Sequence, residues 1–211
     1  MKRLLSIFMF LVVASLAQAH DFSYTYSGKT LYYNITSSTN HTVEVTYPGT
    51  YSNRWSGYTE PSGSLTIPSS VTYNDTTYSV TSIRDYAFSG CSGLTSVTIP
   101  NSVTSIGSEA FRSCSGLTSV TIPNSVTSIG IRAFYGCSGL TSLSFNATNC
   151  TYAGNSYDYR AFKGCPISSV TFGNSVQNIP DYLLYGCTNL TSVTIPNSVT
   201  SIGSEAFRSC S

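Results

Sequence analysis

The fourteen residues LTSVTIPNSVTSIG occupy positions 94–107 and return letter for letter at 117–130 and 190–203. An identical segment used three times must meet three equivalent environments, and stacked units of one architecture supply them. The copies sit in a longer register. Leu94, Leu117, Leu140, Ile167 and Leu190 open successive units at spacings of 23, 23, 27 and 23. Cys91, Cys114, Cys137, Cys165, Cys187 and Cys210 close them at 23, 23, 28, 22 and 23. A stretched unit over 65–93 precedes these and carries the extra segment YNDTTYSV at 73–80.

One unit shows how the residues make a rung. Val97 and Ile99 alternate with Ser96 and Thr98, the period of a strand. Leu94 turns inward at its start. Pro100 lacks a backbone donor and ends the ladder, and Asn101-Ser102 supplies turn chemistry. Val103 and Ile106 form a second inward-pointing extended piece, which Gly107 breaks. Ser108 then reads as the N-cap of a short helix, EAFRSC, with Glu109 near its positive end and Ala110, Phe111 and Cys114 on one face. Eight of the 23 positions therefore point inward: Leu94, Val97, Ile99, Val103, Ile106, Ala110, Phe111 and Cys114. Their burial does not offset the ordering of 23 backbone residues in a lone rung, at roughly 1–2 kcal/mol each, so rungs must share a core.

A period of 20–29 residues is that of a leucine-rich-repeat solenoid. The stretch AFSGCSGLTSVTIPNSVTSIGSEAF at 87–111 resembles the BspA-type leucine-rich repeat of secreted and surface proteins of Bacteroidetes and some protozoa. The resemblance extends over about 65–211. It implies an α/β solenoid with a parallel strand ladder and short helices, preceded by a small β-rich N-terminal cap. It further implies adhesion to host or matrix proteins, or contact with other bacteria, without catalysis; a glycan is the other ligand class expected. The expected division is a signal peptide at 1–19, the cap at 20–64 and the solenoid at 65–211, with an insert near 146–160 and an incomplete last repeat. The cap should be antiparallel, from FSYTYSG, KTLYYNIT and HTVEVTYPG, and should seal the first rung. The chain stops inside the last rung, which reads as a piece of a longer protein.

Lys2 and Arg3, the apolar run at 4–17 and Ala17-Gln18-Ala19 form an export signal, leaving no membrane span after its removal. Charged residues make up only 9 % of the chain. Polarity comes from hydroxyls and amides, so nucleic acid is not an expected partner. His20 and His41 both lie outside the repeats, so no Ser–His or Cys–His pair can form within a rung. There is no phosphate loop or HExxH pattern, and neither cofactor nor metal is expected. The six in-register cysteines read as small buried apolar groups, with bridges between rungs an open alternative; off-register Cys150 reads as the free thiol.

Three regions remain as candidates for contact with a protein or glycan ligand. The first is the outward strand face: Ser96, Thr98, Ser119, Thr121, Ser142, Ser144, Ser169, Thr171, Ser192 and Thr194. The second is the insert, NATNCTYAGNSYDYR at 146–160, with Tyr152, Tyr157, Asp158, Tyr159 and Arg160. The third is the cap's aromatic group, Trp55 with Tyr51 and Tyr58 beside Arg54, for which a cap-core role is the simpler alternative. Two other readings accompany these: a spacer whose length alone matters, and an ice-binding array built on the regular S-x-T rows.

Overall fold

A computed structural model describes residues 20–154 and 159–210. Residues 1–19, read from the sequence as an export signal, lie outside the described residues, as do Tyr157 and Asp158 of the insert. The chain opens with an antiparallel meander of β1 (Phe22–Tyr26), β2 (Lys29–Ser37) and β3 (Thr42–Thr46). Then come β4 (Gly63–Thr66) and the hairpin β5 (Ser70–Tyr73) with β6 (Thr76–Ile83). The segment at 73–80, extra to the repeat, is this hairpin, with Asn74 and Asp75 at its tip in the left-handed region.

Each following rung contributes a long strand and a short one: β7 (Leu94–Thr98) with β8 (Ser105–Ile106), β9 (Ser119–Ile122) with β10 (Ser128–Ile129), and β11 (Ser142–Phe145) with β12 (Tyr152–Ala153). The last elements are β13 (Ser169–Phe172), β14 (Asn178–Ile179) and β15 (Ser201–Ile202). The long strands stack in the order β4-β7-β9-β11-β13, all parallel. The short ones continue from the cap as β3-β6-β8-β10-β12, and β14 pairs with β15 alone. The cap thus joins the solenoid through one parallel contact, β3 on β6, and covers an edge that would otherwise be open.

All eight inward positions of the 94–116 unit are buried, none above 7 % exposed. Down the axis, Phe88, Phe111, Phe134 and Phe162 stack ring on ring, with centroids 5.1, 5.0 and 4.9 Å apart. The cysteines form a second column. Cys114, Cys137 and Cys165 donate their thiols to the carbonyls of Phe88, Phe111 and Phe134 at 3.2, 3.0 and 3.0 Å. All seven cysteines, Cys150 included, are free thiols, and bridges between rungs do not form. Burial pushes the Cys91 thiol up to about 12, with help from the charge of Glu60, and likewise raises Cys187 to about 12.

Among the described residues the short helices do not form. The segment expected to be helical is a run of turns in every rung, and it makes a third ladder. Tyr86, Phe88 and Gly90 donate their N–H groups to the next rung's Ser108, Ala110 and Arg112 carbonyls at 2.9, 2.7 and 2.7 Å. The residues between them, Ala87, Ser89 and Cys91, close tight turns onto the third residue back. Glu109, Phe111 and Ser113 repeat the pattern onto Ile131, Ala133 and Tyr135. With every second donor spent on a neighbouring rung, an i→i−4 ladder cannot propagate. Left-handed φ values at Glu109 (53°) and Ser113 (57°) interrupt it as well. A six-residue segment between Gly107-Ser108 and Ser115-Gly116 is in any case far below the length at which a helix holds itself.

Candidate binding face

Alternation along the long strands sends Val and Leu into the core and leaves Ser and Thr outside. The strand register aligns these hydroxyls in rows. Ser64, Ser96, Ser119, Ser142 and Ser169 form one row; Ser144 lies between Thr121 and Thr171 in the other. Thr98, Thr121, Ser169 and Thr171 are exposed, while Ser96, Ser142 and Ser144 are half-buried by their neighbours. Ser96 donates to the Ser64 hydroxyl at 3.0 Å, so part of the row is bonded along itself. Ser64 and Thr66 extend the face by one strand beyond the sequence-derived set. Their signal was present, because SLTIP at 64–68 is the SVTIP of later rungs. The face carries no charge, so what it offers is a broad area of hydroxyls on a rigid backbone.

Ser192 and Thr194 do not continue the ladder. Both are exposed, but residues 191–196 form no strand, and a cleft of about 490 Å³ lined by Ser169, Thr171, Ser192 and Thr194 separates them from β13. The same fourteen residues pair as strands at 94–107. At 190–203 they have a described neighbour on one flank only, and Val193, Ile195 and Val199 are half-covered. The segment is not paired even with β13 and its apolar side chains are only half-covered, so the local sequence alone does not hold the strand.

The described part of the insert, 146–154 and 159–160, is part of the rung rather than a loop hung on it. Ala147, Cys150 and Ala153 are buried, and Tyr152 and Ala153 pair with Ser128 and Ile129. Arg160, expected at a contact surface, is 8 % exposed, its guanidinium 4.8 Å from the Tyr185 ring centre. Tyr152 is half-buried, whereas Tyr159 stands 45 % exposed, with Arg132 over its ring at 5.1 Å. The cap aromatics divide as well. Trp55, at 6 % exposure, is core and packs edge-on against Tyr32, so it cannot serve as a contact. Tyr58 also meets Tyr32 edge-on, and both line a cleft of about 470 Å³ with Lys29 and Glu60. Tyr51 is 62 % exposed and donates its hydroxyl to that of Tyr86 at 3.3 Å. Among the described residues, no group of three or more His, Cys, Asp or Glu could hold a metal. No helix there is long and apolar enough to cross a membrane.

Parallel ladders, a shared apolar axis and one rung per repeat define a leucine-rich-repeat solenoid. The BspA type leucine rich repeat region matches residues 64–157 and 117–211, in six copies, and the chain belongs to that family. A leucine-rich repeat protein from Bacteroides ovatus is similar at 32 % identity and TM-score 0.60, over 89 % of this chain and 45 % of its own. One from Bacteroides capillosus is 25 % identical at TM-score 0.52, over 72 % and 98 %. The pneumococcal vaccine antigen PcpA shares the fold at 19 % identity and TM-score 0.56, over 91 % of this chain and 48 % of its own. The chain thus spans under half the length of the Bacteroides ovatus protein. No curated protein matches the chain.

Proposed function

We propose that this chain is an exported, non-catalytic binding module that docks a protein ligand on its flat Ser/Thr face at the cell surface. The carrying observation is the in-register hydroxyl ladder across five parallel strands, uncharged and backed by a continuous core. A rigid, flat sheet loses little conformational entropy on binding and suits a broad partner surface. Family membership supports a binding or scaffold role, and the leader read at 1–19 supports export.

The test is capture of extracellular-matrix proteins by the chain and by T98K/T121K, whose lysines would stand in the middle of the exposed rows. Loss of a captured partner in the variant, with its thermal unfolding unchanged, is the expected result. Capture that is equal for both proteins, or no capture at all, would favour the spacer reading. Deleting 149–159 is not a clean test of the insert, because it removes β12 and buried Cys150. Tyr159→Ser is the appropriate change.

A further inference from the structure

Of the chain's nine acids, eight fall within the described residues, and six of those are already bonded. Asp21, Asp85 and Asp181 accept backbone N–H groups at 2.7, 2.6 and 2.6 Å. Glu44, Glu109 and Glu205 pair with Arg84, Arg112 and Arg208. Asp75 stands exposed at the tip of the β5–β6 hairpin. Glu60 differs from all of these. It has no ion pair or hydrogen bond among the described residues, yet it lines the cap cleft of about 470 Å³.

The cleft is held open by its own walls. One is the β1–β2 turn with the start of β2, and the other is the segment 57–62. Lys29 donates from its ammonium to the Ser62 carbonyl at 2.6 Å and ties one wall to the other. Gly28 and Gly57, both at left-handed φ, keep side chains out of the space: a Cβ at either would meet nothing within 4 Å. Tyr32 is braced edge-on by His20, Trp55 and Tyr58, with ring centres 4.8, 5.9 and 5.6 Å away. That is the only ring contact of Tyr58 among the described residues, so at least one face of its half-buried ring is clear of other rings. The hydroxyls of Tyr32 and Tyr58 hold no hydrogen bond there either. Burial, and then the neighbouring Tyr58 phenol, raise the pKa of Tyr32, which keeps its hydroxyl a donor.

We propose that this cleft is a second binding site, for a neutral sugar unit of a glycan, with Tyr58 against the C–H face of the ring and Glu60 accepting from neighbouring sugar hydroxyls. A carboxylate accepts two such donors at once, and the two phenols supply donors of their own. The volume is that of a small-ligand site, roughly 300–1,000 Å³. Charge selects a neutral ligand: a cation in the cleft is set beside Lys29 and an anion beside Glu60. Lys29 is committed to Ser62, so its part is to position the walls rather than to recognise an anion. Because the walls are tied before anything binds, little ordering is lost on binding. The cleft shares no residue with the Ser/Thr face, so either reading can fail alone.

The experiment screens the full chain on an array of neutral and acidic oligosaccharides and then titrates the best neutral one by calorimetry. At least one neutral glycan should bind, more tightly than any acidic glycan or tetramethylammonium, and added salt should leave its affinity unchanged. Glu60→Ala and Tyr58→Ala should each lower that affinity about tenfold. Tyr58→Phe, which keeps the ring, should lower it less than Tyr58→Ala. T98K/T121K should leave it unchanged. Glu60 is exposed, so Glu60→Ala remains informative if Tyr58→Ala loosens the cap. Binding to no neutral glycan, tighter binding of an acidic glycan or tetramethylammonium, or full affinity in Glu60→Ala overturns the proposal.

Discussion

Phe111 and Phe207 sit in the same octapeptide, SEAFRSCS, at 108–115 and 204–211. Local propensity therefore treats them alike, and any difference between them belongs to tertiary structure. Phe111 is fully buried between Phe88 and Phe134, at 5.1 and 5.0 Å and within 18° of parallel. Phe207 is half-buried, and its ring meets Phe172 edge-on at 6.4 Å. Removing a buried phenylalanine costs about 3–5 kcal/mol in transfer and cavity terms. Each lost ring contact adds about 0.5–1.5 kcal/mol. With two such contacts, Phe111→Ala should then destabilise the chain by about 4–8 kcal/mol. At Phe207, partial burial leaves about 1–2 kcal/mol of transfer at stake. Urea unfolding followed by circular dichroism measures both. Because rungs couple to nearest neighbours, F111A should also break the single transition into two, whereas F207A should trim its end. Equal costs for the two substitutions would refute the argument that stacking between rungs, rather than the octapeptide itself, holds this turn.

Other outcomes follow from the same geometry. A methyl group at Gly107 would meet the backbone N and Oδ1 of Asp85, so Gly107→Ala should cost about 1–3 kcal/mol in urea unfolding. Asp85→Ala should cost about 1–3 kcal/mol by removing the acceptor of the Ser108 N–H, and Asp85→Asn should recover much of it in the same assay. The Cys91 and Cys187 thiols rise from 9.0 to about 12 in the fold, so between those values the unfolded chain loses protons that the native chain keeps. Stability should be flat below pH 9 and fall as pH rises from 9 towards 12, by a few kcal/mol per thiol, which thermal unfolding across that range would read. Before unfolding, these thiols should resist alkylation at neutral pH.

Much was legible because the repeat states its own inward positions. Leu, Val, Ile and Phe recur where a period of two or a turn demands them, and in the 94–116 unit each is buried as read, whereas Val193, Ile195, Val199 and Phe207 of the last rung are only half-covered. The strand face followed by subtraction: residues alternating with buried ones must point out. Where side chains made the pattern, the pattern could be read. The short helix was misread because Ala, Phe and Cys at helical spacing fit a chain of turns equally well when the next rung accepts the donors. Arg160 was misplaced for a related reason. Its neighbours in sequence suggested a loop, but Tyr185, a rung away, supplies the ring it packs on.

The amino-acid sequence by itself determined the rung: its length, its inward residues, its stops at Pro and Gly, and the family it belongs to. Tertiary structure decided what the third side of each rung becomes and whether a given copy is a strand at all. The segment LTSVTIPNSVTSIG is the plainest case. It forms paired strands at 94–107, but its first half is left unpaired at 190–203. Hydrophobic alternation selects which side chains face inward. The ladder bonds and the cover of those side chains come from the rungs on either side, and these lie 23 or more residues away in the chain.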